Sequence, residues 1–107
     1  MSTISITASR IRRIREAMNL SRPKFADLLD VPPTTLKNYE LGYREVGGDF
    51  LIKMGKKFGG ETVLWVMDVA LIDEKNIEGH AQKLNDKLTA EGIVLRHRGE
   101  GYARTNI

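Results

Sequence analysis

Pro33, Thr34, Lys37 and Asn38 carry the most specific chemistry in this chain. At helical spacing the four residues share one face. An asparagine amide can bond bidentately to adenine, and a lysine can reach guanine or a phosphate. Threonine offers a hydroxyl and a methyl; proline offers apolar contact alone, for example to a thymine methyl. This is chemistry for reading the edges of bases. Leu36 and Tyr39 fall on the other side of the same stretch, where packing would use them.

A face held outward in this way needs a second helix behind it. Residues 20–44 read LSRPKFADLLDVPPTTLKNYELGYR. Phe25, Ala26 and Leu29 supply the apolar positions of a first short helix, and Val31 sits at the joint. Small Ala26 lets the two helices approach closely, and Leu36 plugs the angle between them. That is the spacing of a helix-turn-helix, whose second helix is free to enter a DNA major groove. Ser21 is a good N-cap for the first of the pair, and Pro23 falls in its first turn, where a missing N–H costs nothing. Asp30 breaks that helix. Pro32 and Pro33 cannot lie inside a helix but can open one, so the second runs from about residue 33 to 41. Gly42 suits the left-handed position beyond it. Arg22, at the start of the first helix, is placed to meet a phosphate. Thr35 either bonds a phosphate or caps and faces the helix pair.

Other elements must support this pair. Residues 2–7 alternate isoleucine with Ser and Thr, as a short strand or a loose arm. Residues 9–19 form a helix with Ile11, Ile14 and Met18 inward and Arg10, Arg12 and Arg13 mainly on a solvated face. After a loop over 43–48, a fourth helix begins at Asp49 with Phe50, Leu51, Met54 and Phe58 on one side, and Gly59–Gly60 ends it. Residues 61–71 form a fifth helix, apolar on nearly all sides, so more than one side must be covered. Trp65 in its middle reads as core or interface rather than as a platform for a base. Residues 73–90 form a sixth helix with Ile77, Ala81, Leu84 and Leu88 in register, ended by Gly92. Val94, Leu95, Tyr102 and Ala103 flank a turn at 98–101, which reads as a β-hairpin.

Composition narrows the function classes. The 107 residues contain no cysteine, which excludes disulfides and thiolate zinc sites. His80 and His97 have no ligand cluster around them, so neither a metal nor a cofactor is expected. The glycine pairs at 47–48 and 59–60 lack the strand and lysine of a phosphate loop and read as turns. No apolar run reaches the ~18 residues of a membrane span, and residues 1–7 lack the layout of a secretory signal. A soluble, cytoplasmic protein is expected. No paired carboxylates or activated nucleophile stand at useful spacing, which argues against an enzyme. The net charge of +3 lies wholly in residues 1–48, where eight basic residues face five acidic ones. From Asp49 onward nine of each balance. The positive field therefore coincides with the helix pair, as a polyanion partner requires.

From about Ile11 to Phe58 the chain resembles the Cro/C1-type helix-turn-helix domain of phage repressors and of the bacterial regulators called the xenobiotic-response-element family. The matching residues are Ile11, Ile14, Arg15 and Glu16; Ala26, Leu28, Leu29 and Val31; and Thr34, Thr35, Leu36, Tyr39, Glu40 and Gly42. The resemblance implies an all-α, compact five-helix bundle over residues 1–72, with 73–107 as a C-terminal extension for dimerisation or partner binding. It aligns Pro33, Thr34, Lys37 and Asn38 with base-reading positions. It assigns Arg22, Thr35, Tyr43 and Arg44 to phosphates, and Arg15 and Glu40 to an internal ion pair. Three positions depart from the family: Arg22 replaces a glutamine, Asp30 replaces a glycine, and prolines open the second helix in place of polar residues. The function implied is a transcriptional regulator, a repressor that binds a palindromic stretch of double-stranded DNA as a homodimer. The alternative is an antitoxin that binds DNA and also a protein toxin through the residues after Ile72.

Overall fold

Ser5 starts the first helix earlier than the alternation of Ile4 and Ile6 predicts. Its Oγ accepts the Ala8 N–H at 3.1 Å, and this N-cap carries Ile6 and Thr7 into helix α1 (Ile6–Ala17). Over the described residues 4–7 the expected strand or arm is therefore corrected: local capping overrides a two-residue alternation. The computed structural model describes residues 4–93, and over that range every regular element is helical. Helix α2 (Arg22–Leu28) is capped by Ser21 Oγ, which accepts the Lys24 N–H at 3.3 Å. Helix α3 (Pro33–Glu40) opens on Pro32 in extended conformation, with no side-chain cap. Helices α4 (Gly48–Phe58) and α5 (Gly60–Val66) follow, and a 3-10 turn (Glu74–Asn76) leads into α6 (Ile77–Ala90).

Helices α1, α2, α3, α5 and α6 all stop in the same way. Asn19, Asp30, Gly42, Asp68 and Gly92 take left-handed φ values of 61°, 54°, 77°, 65° and 88°. In each case the next residue's N–H returns to a carbonyl five positions back. These bonds are Leu20 to Arg15 (3.2 Å), Val31 to Ala26 (3.0 Å), Tyr43 to Asn38 (2.9 Å), Val69 to Leu64 (2.8 Å) and Ile93 to Leu88 (3.0 Å). This closure satisfies carbonyls that a helix end would otherwise leave open. Asp30 makes the tight turn where the resemblance implies a glycine, because Asp tolerates the left-handed region better than most residues.

The fifth helix is shorter than its apolar run predicts. The closure at Asp68 ends it at Val66, and residues 67–70 continue as turns and bends. Arg10 of α1 secures the stop: its Nη1 donates to the Trp65 carbonyl at 2.7 Å and to Asp68 Oδ1 at 3.1 Å. The guanidinium also lies 4.9 Å from the Trp65 ring centroid. Trp65 itself is fully buried.

One core joins all six α-helices. Ile11, Ile14 and Met18 pack with Phe25, Leu36, Met54, Phe58 and Trp65, and Ile77, Ala81, Leu84 and Leu88 of α6 belong to the same cluster. Phe25 stacks on Phe58 at 5.4 Å, and Tyr39 meets Phe50 edge-on at 5.2 Å. Helix α6 lies against α1. Its Asn85 Nδ2 donates to the Met18 carbonyl at 3.3 Å, and its Glu78 meets Arg13 at 2.8 Å. The expected five-helix bundle with an appended helix is thus a six-helix unit, because the apolar stripe of α6 is spent on α1. The hairpin expected around residues 94–103 lies outside the described residues; Ile93, just before it, closes α6 and packs against the core. No helix among the described residues is long and apolar enough to cross a membrane.

Candidate nucleic-acid interface

Helix α3 is oriented by what it buries. Leu36 is fully buried, and Tyr39 and Glu40 lie beneath the surface beside it. The opposite strip is left to solvent: Pro33, Thr34 and Lys37 are exposed, and Asn38 is half-buried at its edge. The four residues expected to read bases therefore do share one outward face. Thr35 is half-buried in the first turn, where its N–H bonds the Pro32 carbonyl at 3.0 Å.

The loop after α3 is tied back onto that helix. The Asn38 carbonyl accepts the N–H groups of Tyr43 at 2.9 Å and Arg44 at 3.3 Å. Tyr43 is 68% exposed. The Arg44 guanidinium lies 5.8 Å from the centroid of the buried Tyr39 ring. Both of these residues expected to meet phosphate thus stand at the C-terminal end of α3, held in register with Asn38.

Arg15, Arg22 and Glu40 meet at one buried point. Arg15 Nε donates to Glu40 Oε2 at 2.8 Å, its Nη2 to Oε1 at 3.0 Å, and its Nη1 to the Leu20 carbonyl at 2.9 Å. Arg22 Nε donates to the same Glu40 Oε1 at 2.9 Å. One carboxylate therefore ties α1, α2 and α3 together. The Arg22 side chain remains 29% exposed, so its guanidinium is divided between the carboxylate and the surface where a phosphate was expected.

Ion pairing redraws the positive field. Arg10 pairs with Asp68, Arg12 with Glu16 at 3.1 Å, and Arg13 with Glu78. Arg12 lies on the solvated face the sequence predicts, whereas Arg10 is only 20% exposed and lies over Trp65, and all three arginines are paired within the chain. Among the described residues Lys24, Lys37, Arg44, Lys53, Lys56, Lys57, Lys75, Lys83 and Lys87 have no carboxylate partner. The cations without a carboxylate partner are thus the lysines and Arg44, spread over α2 to α4 and α6, and not the arginines of α1. Sequence reasoning passed over Lys53, Lys56 and Lys57 of α4; their i, i+3, i+4 spacing was the signal that could have found them.

His80 joins α5 to α6. Its Nε2 is 2.8 Å from the buried Thr62 Oγ1, and its Nδ1 is 3.6 Å from Glu61. No group of three or more metal-binding side chains occurs among the described residues.

Comparison with known proteins gives one finding. A family model described as helix-turn-helix matches residues 11–65, from the second turn of α1 to Trp65 of α5. No curated protein and no solved structure matches the chain.

Proposed function

The chain belongs to the helix-turn-helix family of the Cro/C1 type, which supports a DNA-binding regulator, and on that premise we propose that it is a sequence-specific transcriptional repressor working as a homodimer on a palindromic operator. The observation that carries this reading is the outward strip of α3, where Pro33, Thr34, Lys37 and Asn38 stand clear of the core. Lys37 faces solvent there without a carboxylate partner. In the proposed complex that strip enters the major groove, and Arg22, Thr35, Tyr43 and Arg44 hold the phosphates that fix its register. A two-fold dimer then sets half-sites about one helical turn apart, roughly 34 Å.

The early stop of α5 supports the homodimer. Leu64, Met67, Val69 and Leu71 are 43%, 42%, 66% and 88% exposed. These apolar side chains are the surface that a second copy would cover.

Random-site selection with the purified chain, run beside sedimentation, tests the proposal. The expected result is one enriched sequence with two-fold symmetry, bound by a dimer that Val69→Glu and Leu71→Glu convert to monomer. Absence of any enriched sequence contradicts the reading. A selected site bound by a chain whose variants stay dimeric removes these residues from the homodimer interface and favours a second protein there, as in the antitoxin alternative.

A further inference from the structure

A shallow groove of about 310 Å³ lies on the flank of the helix pair, lined by Leu28, Leu29 and Asp30 at the end of α2 and by Lys53, Lys56 and Lys57 of α4. No residue of α3 lines it. Its position is fixed by one bond: Lys53 Nζ donates to the Asp30 carbonyl at 2.9 Å, tying the middle of α4 to the turn between α2 and α3. That bond occupies Lys53. Lys56 and Lys57, one turn further along the same side of α4, have no carboxylate partner among the described residues. The groove thus combines a partly exposed apolar base at Leu28, with Leu29 buried beneath it, and two free ammonium groups on its rim.

We propose that this groove docks an acidic segment of a partner protein, one that sets an apolar side chain against Leu28 and its carboxylates against Lys56 and Lys57. Charge complementarity commits the occupant to an acidic chain. The apolar base distinguishes a peptide from the DNA backbone, which presents phosphates and no apolar anchor. Because α3 contributes nothing to the lining, the segment can be held while the strip bearing Thr34 and Asn38 stays open. The proposed assignment concerns a surface separate from the reading face and does not depend on it.

The test is selection from a displayed library of random short peptides on the full-length chain and on the double variant Lys56→Gln/Lys57→Gln. The parent is expected to enrich acidic peptides carrying an apolar residue. Their binding should be about tenfold weaker to the double variant and should perturb amide resonances of residues 28–31 and 53–58. Circular dichroism and a thermal melt verify that the variant is folded. Enrichment of no acidic class, or equal binding by parent and variant, overturns the proposal. It is also overturned if the variant keeps its peptides but loses salt dependence on random-sequence duplex, which gives the lysines to the phosphate backbone instead.

Discussion

Arg15 and Glu40, 25 positions apart, clasp each other through two hydrogen bonds of 2.8 and 3.0 Å in a site where Glu40 is 1% exposed. Two-point geometry suits a guanidinium and a carboxylate, and the Leu20 carbonyl takes up a third N–H. Arg15→Ala therefore strands a buried charge. It should cost about 3–5 kcal/mol of folding stability, since removing one partner is worse than removing both. Arg22 on the same carboxylate keeps the loss toward the lower end. Denaturant titration checks this, together with DNA affinity corrected for the folded fraction. Full stability with lost affinity would mean that Arg15 faces DNA.

Arg22 divides its guanidinium between Glu40 and the surface, so Arg22→Ala should act twice. Stability should fall by about 1 kcal/mol, as for a partly exposed pair. The slope of log affinity against log salt should become shallower by roughly one, equally for all sequences. An unchanged slope, measured by fluorescence anisotropy over a salt series, leaves Arg22 with the structural role alone.

Asp30 holds φ at 54°, in a region that L side chains enter at a cost and glycine enters freely. Asp30→Gly should raise stability by about 0.5–1 kcal/mol, the relief of strain being partly offset by the freer unfolded chain. The Asp30 carbonyl that holds Lys53 is kept. A lower thermal midpoint would show that the carboxylate itself contributes.

Glu78 has its carboxyl held below the usual glutamate value, first by the hydrogen bond from Arg13, then by its own backbone N–H. A depressed pKa in the folded state stabilises at pH above the ordinary glutamate range, and that contribution fades as pH falls through the folded value. The side chain is 66% exposed, so the effect is small. Glu78→Gln should lower the thermal midpoint slightly at neutral pH, and the difference should close on acidification. A difference that grows toward low pH contradicts the pairing with α6.

The helix pair was legible in the sequence because its signals are local. Ser21, Pro23, Asp30, Pro33 and Gly42 each act within one turn, and the spacing of Ala26, Leu29, Leu36 and Tyr39 sets which sides are buried. The inward and outward faces of α3 follow from that spacing alone. What failed was non-local. The stop of α5 at Asp68 depends on Arg10, 58 positions away, while the run from Val63 to Leu71 favours a longer helix. The place of α6 depends on α1, which no local pattern specifies. The field around Arg10 and Arg13 is weaker than the sequence balance predicts for the same reason, because their acids lie far along the chain. Arg22 took a second partner in Glu40 that its position at a helix start could not reveal.

The proposed reading of bases by Asn38 on the outward strip of α3 is tested most directly by comparing parent and Asn38→Ala on the selected site and on every single-base variant of it. The loss expected on the selected site is about 1–3 kcal/mol, with preference relaxed at one position of each half-site and the other positions still discriminated. Equal affinity of parent and variant across all sites would contradict the claim and place the reading face elsewhere on the chain.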